Sequence, residues 1–146
     1  MKRFGKRFLS GILALMMISS ILCTAASATA KSSSYLDAYR AVLTPDPGGV
    51  MTVTVQVTGV GYMPELGVKT ISVYESTDQQ HFHWIGTYGS DDSPIMMGSG
   101  TLFYEDVITF TGTPGHYYYA KACVYAGDSD GGDERYCNSA IKQAKA

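Results

Sequence analysis

The sequence predicts an all-β domain, built as an antiparallel sandwich, that follows an N-terminal leader. Three observations indicate this fold. Apolar and polar residues alternate with a period of two through most of the chain after residue 31. Clusters of Gly, Pro and Asp, which favour turns, separate the alternating stretches. No stretch after residue 31 shows the 3.6-residue period of an amphipathic helix.

Residues 1–30 have the three parts of a secretory signal peptide. The first seven residues hold four Lys and Arg, residues 8–21 are rich in Leu, Ile and Met, and Ala28-Thr29-Ala30 fits a cleavage site. Residues 31–146 then form one domain, because 116 residues suffice for a single core and hardly for two. We expect a secreted, extracellular protein, free in the medium or loosely associated with the cell surface.

The charge of the domain excludes several classes of partner. The leader carries four of the 11 Lys and Arg and none of the 13 Asp and Glu, so its removal changes the net charge from −2 to −6. Nucleic acids and anionic membranes require a cationic surface, and neither is an expected partner. No apolar stretch after residue 30 approaches the roughly 20 residues that a membrane-spanning helix needs.

Seven stretches are predicted as strands, and residues 82–88 are a short apolar stretch that carries Trp84. The clearest places Met51, Val53, Val55 and Val57 on one face of a strand and mostly threonines on the other. Seven short, evenly spaced strands are typical of an immunoglobulin or fibronectin type III sandwich, and a closed barrel is the alternative. The predicted strands are residues 35–43, 50–59, 68–75, 82–88, 102–111, 117–126 and 133–141.

Cys123 and Cys137 are the two cysteines that remain after the leader, an even number in an oxidising environment. A hairpin centred on Asp130 would place them opposite each other on neighbouring strands. We therefore predict a disulfide on the outer face of the sheet, which would stabilise the fold by about 3 kcal/mol. Two unpaired thiols are the alternative.

Five short motifs are distinctive: Ile71-Ser72-Val73-Tyr74-Glu75-Ser76, Met96-Met97-Gly98, Thr109-Phe110-Thr111-Gly112-Thr113-Pro114-Gly115, Tyr118-Tyr119-Ala120 and Tyr125-Ala126-Gly127. They resemble motifs of a group of small exported proteins of Gram-positive bacteria that are similar to immunoglobulin-like sandwiches. The resemblance covers most of the chain after the leader. It implies a fold and export, and it supplies no catalytic residues.

The loop of residues 127–134 is a candidate metal site. Asp128, Asp130 and Asp133 offer hard oxygen ligands at a spacing that can wrap a calcium ion. An EF-type loop would need a Glu near residue 139, where the chain has Ser139. Asp and Gly are also the residues that a tight exposed turn selects, and we favour a plain turn over weak calcium binding.

Two further features could contact a partner. Tyr117, Tyr119 and Tyr125 share the outer face of one predicted strand, where they could stack on sugars or anchor a protein. They also suit ordinary cross-strand packing, which we favour. The stretch Ile95-Met96-Met97 is apolar within a polar loop and would either cap the core or form an adaptable contact patch. Tyr118 follows a sharp corner and is expected to form a structural tyrosine corner.

Catalytic and zinc sites find less support in the sequence. His81 and His83 alternate along a predicted strand and would need a third ligand such as His116 to hold a metal. Glu105 and Asp106 are adjacent in a strand, as neighbours that point to opposite faces and do not form an acid/base pair. No Ser lies in a Gly-x-Ser-x-Gly elbow.

These observations favour a secreted, non-catalytic binding module with a protein or glycan partner. A carbohydrate-binding module, with or without calcium, is the second interpretation. A secreted signal or toxin-type effector is the third, and an enzyme comes last, because the fold class alone does not select a function.

Overall fold

A computed structural model describes residues 33–89 and 97–146, and the predicted leader of residues 1–30 lies outside them. Strands make up 73% of the described residues, which contain no α-helix. A single 3-10 turn, Pro47–Gly49, joins the first two strands. The strands are β1 (Leu36–Pro45), β2 (Val50–Met63), β3 (Glu65–Ser76), β4 (His83–Gly89), β5 (Met97–Gly98), β6 (Thr101–Thr111), β7 (Tyr117–Asp128), β8 (Gly131–Asn138) and β9 (Lys142–Gln143).

The strands form two antiparallel sheets. The three-stranded sheet has the order β1-β2-β6, and the larger sheet has the order β4-β3-β7-β8, with β5 added to β3 and β9 added to β7. Every strand pair is antiparallel. The predicted all-β, antiparallel fold is therefore confirmed, and the seven long strands correspond to the seven predicted ones.

One hydrophobic core is shared by the inner faces of the two sheets. The side chains of β2 that were predicted to point inward, from Met51 to Val57, are completely buried. Ile71 and Val73 of β3 supply the opposite side of the core, together with Ala120, Ala122 and Val124 of β7. The period-two alternation arises because each of these strands has one face in this core and the other in water.

The residues after β9 connect the turns at one end of the domain. The backbone N–H of Gly49 donates to the carbonyl oxygen of Lys145 at 2.8 Å, and that of Gly115 donates to Ala144 at 2.9 Å. Ala144 itself is buried. The C-terminal residues thus link the β1–β2 turn to the β6–β7 turn.

The outermost strand of the three-stranded sheet is less well covered than its neighbour. Within the described residues, β6 pairs with β2 alone. Its inward side chains Tyr104, Asp106, Ile108 and Phe110 are only partly buried. The Oδ1 atom of Asp106 accepts a hydrogen bond from the backbone N–H of Val107 at 2.9 Å. Its Oδ2 atom is shielded from solvent and has no hydrogen-bond partner among the described residues, and burial raises the pKa of this carboxyl.

Candidate functional site

Three aromatic side chains form a row across the outer face of the larger sheet. Tyr74 of β3 lies between its two cross-strand partners, Trp84 of β4 and Tyr119 of β7. The rings of Tyr74 and Tyr119 are stacked, with centroids 4.7 Å apart and an interplanar angle of 3°. Phe82 packs its ring edge-on against Tyr119 at 5.0 Å. We call Trp84, Tyr74 and Tyr119 the aromatic row.

A β-bulge turns Trp84 towards solvent. From Gly89 to Gly86, β4 pairs with β3 in one continuous register, and the register then shifts between Val73 and Tyr74. Without this shift, Trp84 would lie opposite Glu75 and point to the inner side of the sheet. The extra residue reverses the alternation, because one added residue moves the following side chains to the other face. Trp84 consequently lies outward and is 60% exposed.

Hydrogen bonds hold the exposed indole in place. Its Nε1 atom donates to the Oγ1 atom of Thr87 at 2.9 Å. The Thr87 hydroxyl is in turn 2.8 Å from the hydroxyl of Ser72 on β3. An indole N–H can only donate, so this bond fixes which edge of the ring faces the sheet. The result is an apolar ring that is exposed and also ordered.

Polar side chains follow in the next outward row along the strands. Thr87, Ser72, Lys121 and Asn138 are cross-strand neighbours on β4, β3, β7 and β8. We call them the polar row. Its two hydroxyl groups and one amide are uncharged, and its single ion is the ammonium group of Lys121. That group lies 4.8 Å from the centre of the Tyr136 ring.

The three predicted contact tyrosines lie on the outer face of β7, but the rings of Tyr119 and Tyr125 already pack against neighbouring residues. The Tyr119 ring is packed between Tyr74 and Phe82. Tyr125 has the ammonium group of Lys69 4.4 Å from its ring centre. The Tyr125 ring also lies across the glycine pair at positions 127 and 132, where a Cβ atom would collide with it. Tyr117 lies at the edge of this surface, paired with Gln143 of β9. The packing interpretation therefore fits Tyr119 and Tyr125.

The predicted Cys123–Cys137 disulfide is not formed, and both residues are free thiols. The β7–β8 turn contains only two residues, so Cys137 pairs with Ala122, and Cys123 pairs with Tyr136. This register differs from the predicted one by one residue, which places the two side chains on opposite faces of the sheet. Burial raises the pKa of the Cys123 thiol, and it raises that of Cys137 to about 11. Both groups are therefore protonated at neutral pH and weakly nucleophilic.

Of the three predicted calcium ligands, Asp128 and Asp130 lie at an ordinary turn and Asp133 lies on β8. The Oδ1 atom of Asp128 accepts the backbone N–H of Asp130 at 2.8 Å, which closes the turn. Asp133 instead accepts hydrogen bonds from the hydroxyl of Ser33 at 2.6 Å and the N–H of Ser34 at 3.2 Å. Among residues 33–89 and 97–146, no group of three or more His, Cys, Asp or Glu side chains could hold a metal ion. The alternative of a plain turn fits this geometry.

The apolar loop lies mostly beyond the described part of the chain. Ile95 and Met96 fall outside the described residues. Met97 belongs to β5, where it is partly buried and pairs with Gly67 of β3. Its backbone thus extends the larger sheet.

Two histidines and a tyrosine meet at Glu75. The Oε1 atom of Glu75 accepts a hydrogen bond from the Tyr118 hydroxyl and lies 2.9 Å from Nδ1 of His116, while its Oε2 atom lies 3.3 Å from Nε2 of His83. The Tyr118 hydroxyl also accepts the backbone N–H of Thr113 at 2.7 Å, as expected of a tyrosine corner. Hydrogen bonds from Tyr118 and then from His116 lower the pKa of Glu75.

The separation of His81 from this cluster argues against the zinc site considered from the sequence. His81 pairs instead with Asp78, 2.6 Å away. Glu105 and Asp106 point to opposite faces of β6, as predicted: Glu105 accepts a hydrogen bond from Gln56 on the outer face, and Asp106 points inward.

No known protein family, curated protein or solved structure matches this chain. In the part of the chain that the structure describes, no helix has the length and apolar character needed to cross a membrane.

Sequence reasoning did not single out Trp84 as a site residue. A Trp in a short apolar stretch is usually a core residue. The bulge that exposes it depends on how β4 pairs with β3, which the pattern of β4 alone does not encode. The one available signal is the interruption of alternation at Trp84-Ile85, two large apolar residues in succession.

Proposed function

We propose that this protein is an exported, non-catalytic binding module whose recognition surface is the aromatic row and the polar row beside it. The observation that carries the proposal is the bulge in β4, which turns Trp84 out of the core. Leaving most of an indole ring in water forgoes the stabilisation that its burial would give. Trp is also one of the residue types most enriched among binding hot spots.

The absence of an activated nucleophile in the described site supports a non-catalytic role. The two cysteines are protonated, and the Glu105 and Asp106 carboxylates face away from each other. Glu75 is occupied by Tyr118 and two histidines on the inner side of the sheet, away from Trp84. Trp84 lies on the outer face of the sheet and is largely exposed, which suits binding of an extended partner better than enclosure of a reacting group.

The finer description of the fold belongs to the same proposal. We infer an immunoglobulin or fibronectin type III-like sandwich, supported by the division into three and four long strands and by the tyrosine corner at the start of β7. Export is supported by the composition of residues 1–30. The location that follows is the medium or the surface of a Gram-positive bacterium.

A surface-binding assay tests the function. The purified protein is mixed with intact Gram-positive cells, and the bound fraction is measured for wild type, Trp84→Ala and Tyr62→Ala. Tyr62 is the matched control, because it is 79% exposed on β2 of the other sheet. We expect Trp84→Ala to weaken binding by about tenfold or more, as for a binding hot spot, and Tyr62→Ala to change it less than twofold. Equal binding by wild type and Trp84→Ala would exclude this surface as the recognition site.

A further inference from the structure

We propose that the ligand of this surface is an extended, uncharged polysaccharide chain that lies across the strands, with one sugar ring stacked on Trp84. The inference rests on the proposed function and names the class of ligand. It is carried by the aromatic row, by the polar row that runs parallel to it, and by the distribution of charge on this face.

The aromatic row supplies the stacking surface. The apolar C–H face of a pyranose ring packs on an aromatic ring, and the electron-rich face of an indole favours this contact. Neighbouring strands are about 4.8 Å apart, close to the length of one sugar unit. A chain that crosses β4 and β3 would therefore place successive sugars over Trp84 and over the exposed edge of Tyr74.

The polar row supplies hydrogen bonds at a suitable distance. Rows on one face of a strand are about 7 Å apart, because they are separated by two residues. The Thr87 hydroxyl bonds to the indole and to the Ser72 hydroxyl. Because a hydroxyl group has one donor and two lone pairs, both can form a further hydrogen bond to a ligand. The Asn138 amide offers a donor and an acceptor at the far end of the row.

Charge and composition favour an uncharged sugar chain over an acidic polymer. The aromatic and polar rows contain no carboxylate, and their one cation, Lys121, lies over the Tyr136 ring. Lys69, on the same strand as Ser72 and Tyr74, is paired with Glu134. A polyanion would also be repelled by the net charge of −2, which becomes −6 without the leader.

The same rows are poorly suited to a protein partner. The centre of a protein interface is normally a closely packed apolar patch. Neither row contains an aliphatic side chain, and the aromatic row gives way to hydroxyl groups within one step along the strands. We therefore commit to a glycan, and a protein ligand is an outcome that the test can return.

The test uses Trp84 as its own probe, because it is the one Trp in the chain. The protein is titrated with uncharged hexasaccharides of the gluco-, xylo-, manno- and N-acetylglucosamine series, and tryptophan emission and acrylamide quenching are recorded. We expect saturable protection of the indole by at least one series, and weaker binding of the matching disaccharide. Absence of saturable change with every series would overturn the inference.

Variants connect the signal to the two rows. Affinity electrophoresis in gels that contain the corresponding polymer should show loss of retardation for Trp84→Ala. Thr87→Val keeps the indole but removes its hydrogen bond, and we expect binding that is several-fold weaker. Tyr62→Ala should be retarded like wild type. Retention of full binding by both Trp84→Ala and Thr87→Val would place the sugar elsewhere and contradict the assignment.

Failure of the ligand class can be distinguished from failure of the proposed function. If cell binding depends on Trp84 but is abolished by protease treatment of the cells and resists removal of their polysaccharides, the surface binds a protein, and the glycan assignment is wrong. If acidic polysaccharides bind and neutral ones do not, the charge argument is wrong. In both cases the recognition surface itself would stand.

Discussion

Each sheet carries a three-residue row across its outer face, and the two rows differ in what they leave for a partner. On the three-stranded sheet, Arg40, Gln56 and Glu105 lie opposite one another on β1, β2 and β6. Arg40 donates through Nε to Oε1 of Gln56 at 2.6 Å, and the Gln56 amide donates to Glu105. The three side chains of this polar ladder are thus hydrogen-bonded to one another.

The aromatic row of the larger sheet is packed at one end and open at the other. Tyr119 is covered by Tyr74 and Phe82, whereas Trp84 is held by hydrogen bonds and still 60% exposed. The comparison shows that a solvated sheet face is not by itself a binding site. The outer face of the larger sheet differs because it carries Trp84, a ring that hydrogen bonds hold in place and that is still largely exposed.

The largest expected difference between the two rows concerns the residue at the centre of each. Tyr74→Ala should lower the free energy of unfolding by about 2 kcal/mol, because it removes a stacked pair and half-buried apolar surface. Gln56→Ala should lower it by about 0.5 kcal/mol, because exposed polar contacts contribute little. Urea unfolding of both variants measures the difference. Equal losses would mean that the polar ladder stabilises its sheet as strongly as the stack does.

An intermediate effect on stability is expected from the inward-facing carboxyl group of each sheet, Glu75 in the larger sheet and Asp106 in the three-stranded sheet. The pKa of Glu75 is lowered by the Tyr118 and His116 hydrogen bonds, so its stabilisation is present above the ordinary pKa of a glutamate and is lost as the pH falls through the lowered value. The pKa of Asp106 is raised by burial, so its contribution favours the fold below the ordinary pKa of an aspartate and is lost as the pH rises through the raised value.

Replacement of these two carboxylates should therefore change stability with opposite dependence on pH. From pH 7 to pH 3, the stability deficit of Glu75→Gln relative to wild type should shrink. Asp106→Asn should be more stable than wild type at pH 7, where the wild-type carboxylate is ionised. This gain in stability should also shrink as the pH falls to 3. Thermal unfolding at several pH values measures both trends, and a deficit rather than an advantage for Asp106→Asn at pH 7 would show that this carboxylate has a stabilising partner.

The smallest expected effect is the change in stability with salt concentration. Arg40 and Glu105 lie at opposite ends of an exposed ladder, so 1 M NaCl should screen most of their contribution, which is about 0.5 kcal/mol or less. Glu105→Gln should approach wild-type stability in high salt, and Tyr74→Ala should keep its deficit. A deficit of Glu105→Gln that persists at 1 M NaCl would indicate that geometry rather than charge holds the ladder.

The strands could be predicted from local sequence because a strand that is buried on one face alternates apolar and polar residues. The inward set from Met51 to Val57 and the tyrosine corner at Tyr118 are readable for that reason. The pairing of strands is a relation between distant segments. A turn shorter by one residue separated Cys123 from Cys137, and a bulge moved Trp84 from one face to the other.

The candidate site was correspondingly predicted only in part. The sequence identified the outer face of β7 as aromatic, and the structure places Tyr117, Tyr119 and Tyr125 there. Whether a ring on that face is free depends on its neighbours, and these come from other strands: Tyr74 beside Tyr119, and Lys69 above Tyr125. The exposed indole of the aromatic row therefore belongs to β4 rather than β7.

The inward carboxylate on β6 also bears on how the protein behaves at high concentration. An outermost strand of 11 residues is a template on which another chain could add hydrogen bonds and begin a fibre. Any chain that docked there would have to bury the Asp106 carboxylate further, although one of its oxygens already has no hydrogen-bond partner among the described residues. The Asp106 carboxylate thus opposes the addition of another strand to β6, and it favours a protein that stays monomeric.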